Sequence, residues 1–388
     1  MSQQRTHVVV IGGGYAGTLA ANRLRGRTDI DITLVNPRPD FVQRIRLHQL
    51  AAGTGTAVAD YDSLLGDGIA LVVDTATRID TAARTVHLAA GDTLVYDYLV
   101  YAVGSTAADL AAVPGATELA YPIAELEQAE RLRAALGRLP VDAPVTVVGA
   151  GLTGLETAVE LADRGRAVRL VCGGTLAPAL SAAGRRSVAK RLARHHVEVL
   201  VTASVAEVRS DSVVLADGTG LPSAVTIWTA GFGVPALARA SGLDTDELGR
   251  LRTDETLTSV DDDRVVAAGD AAAPSGQPLR MSCQAANPLG AQAADTVLAR
   301  LAGAPPDSID QAFVGSCVSL GRGDAIIQTA RRDDTPVNLF VGGRVAAGIK
   351  EAVCRSTLWQ LRREAARPGS FFWLKGGRDT HTAAPSPR

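Results

Sequence analysis

Two glycine turns of the same spacing, Gly12-Gly-Gly14-Tyr-Ala-Gly17 and Gly149-Ala-Gly151-Leu-Thr-Gly154, constrain this chain more than any other feature. Each follows an apolar run (residues 7–11 and 145–148), and each opens a helical pattern (residues 15–25 and 152–164). Strand, tight turn and helix in that order make the spacing a dinucleotide-binding signal. The first glycine permits the turn, the second lets a pyrophosphate approach the backbone, and the third lets helix and strand pack closely. The phosphates then rest on free N–H groups at a helix N-terminus. One such turn is weak evidence; two on separate βαβ units imply two dinucleotides in one chain. A later segment, Ala268-Gly269-Asp270, follows a strand pattern and offers a carboxylate to the ribityl chain of a flavin. The economical assignment is FAD on the first unit, with Gly12, Gly14, Tyr15, Ala16, Gly17, Gly104, Gly269 and Asp270 as its contacts. A nicotinamide cofactor then falls to the second, with Gly149, Gly151, Leu152, Thr153, Gly154 and Gly231.

At 388 residues the chain holds two to three domains. A net charge of −2 leaves no basic footprint for nucleic acid. The cysteines, Cys172, Cys283, Cys317 and Cys354, are far apart in sequence and form no metal-binding pattern; they read as reduced thiols of a cytoplasmic protein. Residues 1–6 run straight into a strand, which predicts no signal peptide. No stretch reaches the roughly 20 apolar residues of a membrane span.

The expected fold class is α/β. Two Rossmann-like three-layer nucleotide-binding domains, the NAD(P) domain inserted in the FAD domain, precede a small α+β C-terminal region. The FAD-binding part covers 1–113 and 253–310, because the strand before Gly269 needs the flavin beside it, and the NAD(P)-binding part covers 114–252. The C-terminal interface region is 311–375, and 376–388 is a disordered tail. Duplication extends to the strands, since residues 98–103 end at Gly104 as 225–230 end at Gly231. Residues 271–273 are expected to begin a helix whose N-terminal dipole favours negative charge on a reduced flavin.

A Rossmann unit usually reads the adenosine ribose with an acidic residue about 20 positions on. Here the places are held by Asn36, which can bond a ribose hydroxyl without charge, and by Cys172. Neither a selective carboxylate nor an arginine stands at the second place, although Arg185 and Arg186 follow; the reading leans to NADH over NADPH.

In these residues the chain resembles the two-dinucleotide-binding pyridine nucleotide–disulfide oxidoreductase superfamily, and within it the type II NADH dehydrogenase-like branch. The resemblance spans about residues 5–365 and implies non-covalent FAD, hydride transfer from NAD(P)H to the flavin, and delivery of electrons to a quinone. The superfamily's disulfide reductases carry cysteine in the stretch that here reads Pro39–Gly53, which has none, so disulfide exchange lacks its nucleophile. Arg44, Arg46 and His48 stand there instead, either lining the flavin ring or, for the arginines, paired with carboxylates elsewhere. Glu156 matches a glutamate that the family places near the nicotinamide; otherwise it is a first-turn helix glutamate. Gln284 fits the family's quinone-side helix start, but Pro288 replaces its second glutamine and is read as a helix-initiating proline. Lys350 is expected at the flavin edge.

Residues 350–367 read as an amphipathic helix with Val353, Thr357, Leu358, Leu361 and Ala365 on one face, followed by the cluster Phe371-Phe372-Trp373-Leu374-Lys375. Basic residues beside an aromatic wedge suit peripheral contact with the inner face of an anionic membrane; the same face also suits packing in the fold or a homodimer. The reading is an FAD-dependent NAD(P)H dehydrogenase with a quinone or aromatic metabolite as acceptor and no metal. The alternatives are a pathway-specific flavoprotein oxidase or oxygenase and a ferredoxin-type reductase.

Overall fold

The computed structural model describes residues 5–376, so the expected tail at 376–388 lies outside the described residues but for Gly376. The first unit comprises Thr6–Ile11 (β1), Tyr15–Leu24 (α1), Ile30–Asn36 (β2), Leu47–Ala52 (α2), Ile69–Val73 (β3) and Tyr98–Tyr101 (β4). The second runs through Ala120–Pro122 (β5), Leu126–Gly137 (α3), Val145–Val148 (β6), Leu152–Ala162 (α4), Val168–Val171 (β7), Ala182–Arg194 (α5), Glu198–Leu200 (β8) and Val225–Trp228 (β9). Val265–Ala267 (β10) and Cys283–Leu301 (α6) follow, then Gly315–Ser319 (β11), Ala325–Ala330 (β12), Pro336–Gly342 (β13) and Arg344–Ala366 (α7).

The valine-rich runs 7–11 and 145–148 are continuous rather than alternating because both become central parallel strands covered on both faces. Two five-stranded parallel sheets result, ordered β10-β4-β1-β2-β3 and β5-β9-β6-β7-β8. They are one arrangement used twice, each with its glycine-bearing strand in the middle. Each unit also carries a three-stranded antiparallel meander, residues 76–95 in the first and 205–222 in the second. β10 rejoins the first sheet by pairing Val265 with Leu99 and Ala267 with Tyr101. The outgoing and returning connections pair antiparallel, Thr106 with Gly233 and Ala107 with Phe232. The second nucleotide-binding unit is thus inserted in the first.

Three expectations need correction. Residues 269–271 form a single 3-10 turn, and Ala272–Pro274 is a strand paired with Leu251–Thr253, not a helix. Pro274 biases its predecessor toward extended backbone, so the helix waits until residue 283. Pro288 does not initiate that helix: Ser282 caps it by accepting from the Ala285 N–H, and Pro288 lies inside. The proline ring removes the N–H that would meet the Gln284 carbonyl. The buried Gln311 side chain takes its place, donating to the Gln284 oxygen at 2.8 Å.

The third correction concerns the last helix. It begins at residue 344, and its buried face is Ala346, Cys354, Thr357, Leu361 and Glu364, whereas Val353 faces outward. A β-sheet, β11-β12-β13, packs on one side of it, and α1 on the other. Arg23 of α1 holds both Asp295 (2.6 Å) and the fully buried Glu364 (3.3 Å). Glu364 in turn accepts from the Gly369 and Phe371 amides, at 2.7 and 2.6 Å. That clamp splits the aromatic cluster: Phe371 and Trp373 stack and pack inward, while Phe372 and Leu374 face out.

Candidate functional site

Burying β1 and β4 side by side brings the first glycine turn against residues 102–105, and a cleft opens along their ends. It is lined by Gly12–Gly14, Asn36, Arg38, Arg44, Gly104, Ser105 and Glu125, among others. Gly12 has φ +101°, and a Cβ there would lie 2.3 Å from the Ala102 oxygen. A Cβ on Gly17 would lie 1.8 Å from the Gly12 oxygen, where α1 closes on the turn. At Gly14 nothing stands within 4 Å. The second turn repeats all three roles: a Cβ on Gly149 (φ +106°) would lie 2.7 Å from the Ala230 nitrogen, one on Gly154 would lie 1.9 Å from the Gly149 oxygen, and Gly151 faces open space. Leu152 and Thr153 begin α4 directly after it. Space beside the middle glycine, at the N-terminus of a helix of ten or eleven residues, is what a pyrophosphate requires.

Other predicted residues take more specific places. Asn36 braces the turn instead of facing the cleft with free groups: its Oδ1 accepts from the Gly13 N–H (2.9 Å) and its Nδ2 donates to the Arg38 oxygen (2.7 Å). Tyr61, missed in the sequence, donates to the Gly13 oxygen at 2.6 Å. Tyr15 stands edge-on to Phe41 at 5.1 Å, in the core below the turn. Ala16 touches both Gly269 and Gly290, a Cβ on the latter falling 2.2 Å from its oxygen, so α1 and α6 meet backbone to backbone. Asp270 accepts from the Ser105 hydroxyl at 2.6 Å; Ser105 was missed because nothing in a strand-end serine announces a carboxylate partner far along the chain. Arg44 lines the cleft and donates to the Ser105 oxygen (2.7 Å); burial depresses its pKa, and Asp270 counteracts this. Gly231 has φ +79° at the second crossover. Cys172 is half-buried and burial pushes its thiol up to about 11, so no charge stands at the end of β7.

A third cluster lies where α2, α4 and α7 meet. Glu156 Oε1 takes Lys350 Nζ at 3.0 Å and the Ser319 amide at 3.0 Å, and its Oε2 faces His48 Nδ1 at 3.7 Å. Burial alone would raise the Glu156 carboxyl, but Lys350, His48 and the Ser319 amide together hold it below the usual range. Burial would lower the Lys350 ammonium, yet Glu156 holds it well above. His48 is driven down, first by burial. Glu156 is therefore not a solvated first-turn glutamate. Arg46 pairs instead with Glu351 at 2.9 Å, as its carboxylate alternative foresaw, and Gln284 accepts from Arg280 at 3.3 Å. Among the described residues no group of His, Cys, Asp or Glu is arranged to hold a metal.

The model of the pyridine nucleotide-disulphide oxidoreductase family matches residues 6–290. The chain belongs to that family. It is similar to an NADH dehydrogenase-like protein of Mycobacterium tuberculosis, 31% identical over 352 residues that span 83% of this chain and 87% of the relative. It is also similar to a type II NADH:quinone oxidoreductase of Staphylococcus epidermidis, 26% identical over 93% of this chain and 97% of the relative. The structure of NDH2 from Plasmodium falciparum in complex with NADH has the same fold, with a TM-score of 0.79 at 16% identity, covering 93% of this chain and 97% of that one. Within the family the chain falls in the type II NADH dehydrogenase-like branch and is an NAD(P)H-dependent flavin oxidoreductase.

Proposed function

We propose that this enzyme carries FAD on the first glycine turn and NAD(P)H, with NADH favoured, on the second, and passes the electrons to a quinone-type acceptor. The observation that carries the reading is the open space at Gly14 and again at Gly151, each at a helix N-terminus in the middle of a parallel sheet. The residues fit the two groups: free helix-terminal amides and Arg44 suit the FAD pyrophosphate, and Asp270, held by Ser105, suits ribityl hydroxyls. When bound, the flavin supplies the two-electron chemistry, which the protein only positions and tunes. In this reading residues 1–113 and 253–310 serve FAD, 114–252 serve NAD(P)H, and 311–375 form the acceptor and interface side. Names of the relatives support the quinone class.

Anaerobic titration of the purified holoprotein with NADH and then NADPH, followed by menaquinone and ubiquinone analogues, tests it. Bleaching of the flavin band by NADH and rapid recovery on quinone is the expected result; no bleaching by either nucleotide overturns it. Pro288, in place of the quinone-side glutamine, favours a second reading, an oxidase or oxygenase acting on a small metabolite. Recovery with dioxygen but not with quinones would select it.

A further inference from the structure

His48 is enclosed, 4% exposed, and its Nε2 has no hydrogen-bond partner among the described residues. Leaving a buried polar atom unsatisfied is costly, and a fold keeps such an atom only with a reason. The charged groups facing the imidazole are Glu156 and Glu160 from α4, Lys350 from α7, and Arg46 from its own segment. Glu156 and Lys350 neutralise each other across 3.0 Å. The thiols of Cys283, Cys317 and Cys354 around Lys350 are all pushed up by burial, Cys283 to about 11, and stay protonated. That leaves the imidazole, which burial holds neutral, as the group of this cluster whose ordinary pKa lies nearest neutrality and which added negative charge nearby would protonate first.

The chemistry of the proposed reaction, on which this inference rests, demands such a group. A hydride carries two electrons and one proton, whereas a quinone consumes two electrons and two protons: NAD(P)H + H⁺ + quinone gives NAD(P)⁺ + quinol. One proton must therefore come through the protein. We propose that His48 carries it, taking up a proton when negative charge is added at the proposed flavin site and releasing it toward the acceptor. Glu156, 3.7 Å away, stabilises the imidazolium once it forms, and Lys350 keeps it from forming earlier.

The test compares wild-type holoprotein with His48→Gln and His48→Phe. NADH is added anaerobically in weak buffer with a pH-indicator dye, and turnover is measured with menadione and with ferricyanide, which takes one electron and no proton. Wild type should take up about one proton more per flavin reduced than either variant. Bleaching by NADH and ferricyanide turnover should be unchanged, while menadione turnover of both variants falls at least about tenfold near neutral pH, the deficit narrowing as the pH is raised. Equal proton uptake in all three proteins, or equal loss with both acceptors, overturns the proposal. Should the variants fold poorly, ¹⁵N-histidine spectra of the wild-type holoprotein before and after reduction read the same event, and an unshifted His48 signal overturns it. If wild type itself is not bleached by NADH, the oxidoreductase reading fails, and this shows before any variant is compared.

Discussion

Gly14 and Gly151 act by what they leave empty. Their φ angles, −73° and −69°, suit any residue, unlike Gly12 and Gly149, which need the left-handed region. A valine at either position therefore leaves the fold intact and fills the open space that the proposed function gives to phosphate. Gly14→Val should purify as a folded protein, with wild-type circular dichroism, but without bound flavin. Gly151→Val should purify yellow and resist bleaching by NADH. Swapped phenotypes would reverse the assignment of the two cofactors. Acid stability also turns on single residues. Burial first, then Lys350 and Arg46, hold the folded His48 imidazole below its ordinary pKa; Lys350, His48 and the Ser319 amide hold the Glu156 carboxyl below its own. In both cases the unfolded chain binds more protons as pH falls, so stability is lost on acidification. The His48 contribution disappears below about pH 6.5 at up to about 1.4 kcal/mol per pH unit, and that of Glu156 follows below about pH 4.5. Thermal melts should show His48→Gln losing less Tm than wild type between pH 6.5 and 5; parallel losses would place the titrating group elsewhere.

At the scale of elements, α6 shows how a local rule is broken and repaired. Its pattern reads as a helix starting at Pro288, because proline is best tolerated in a first turn. The helix instead starts five residues earlier, since Gln311, 23 residues beyond the proline, supplies the donor the proline cannot. No spacing rule links those two positions, which is why the sequence did not reveal it. Gln311→Leu should destabilise by about 1–3 kcal/mol by leaving the Gln284 carbonyl inside the helix unpaired. Pro288→Ala restores an N–H to that carbonyl, so in the double variant the Gln311 change should cost markedly less. Denaturant unfolding of the four-protein cycle measures this coupling, and additive losses would show that the carbonyl finds another partner. The same limit hid the strand at 272–274: its stability comes from pairing with 251–253, a tertiary contact, not from local propensity.

For the whole molecule, the duplicated architecture was legible because steric necessity writes it in glycine and in unbroken valine runs. Glu156, Lys350 and Arg44 could be singled out one at a time from the sequence, and the structure pairs the first two and sets Arg44 in the cleft. Their partnerships were not legible, because α2, α4 and α7 bring His48, Glu156 and Lys350 together from positions more than 100 residues apart. The C-terminal face went half right: the helix exists, but Arg23 and Glu364 turn it so that a different row points out. Leu339 and Val341 of β13 and Val345, Ile349 and Val353 of α7 are exposed, Val345 at 68%. The α7 residues recur every fourth position and so form one stripe, flanked by the exposed Arg344 and Arg355. Among the described residues no helix is long and apolar enough to cross a membrane, so this stripe would lie on a surface. Val345→Glu together with Ile349→Glu should weaken binding to phosphatidylglycerol-containing vesicles at least about tenfold, since burying one such side chain is worth about 1.5–3 kcal/mol. NADH-dependent bleaching should persist, because Val345 and Ile349 are exposed whereas Glu156, the carboxylate that Lys350 holds, is buried. If vesicles never bind but the same substitutions convert a dimer to a monomer in sedimentation, the stripe joins two copies of this chain rather than a lipid surface.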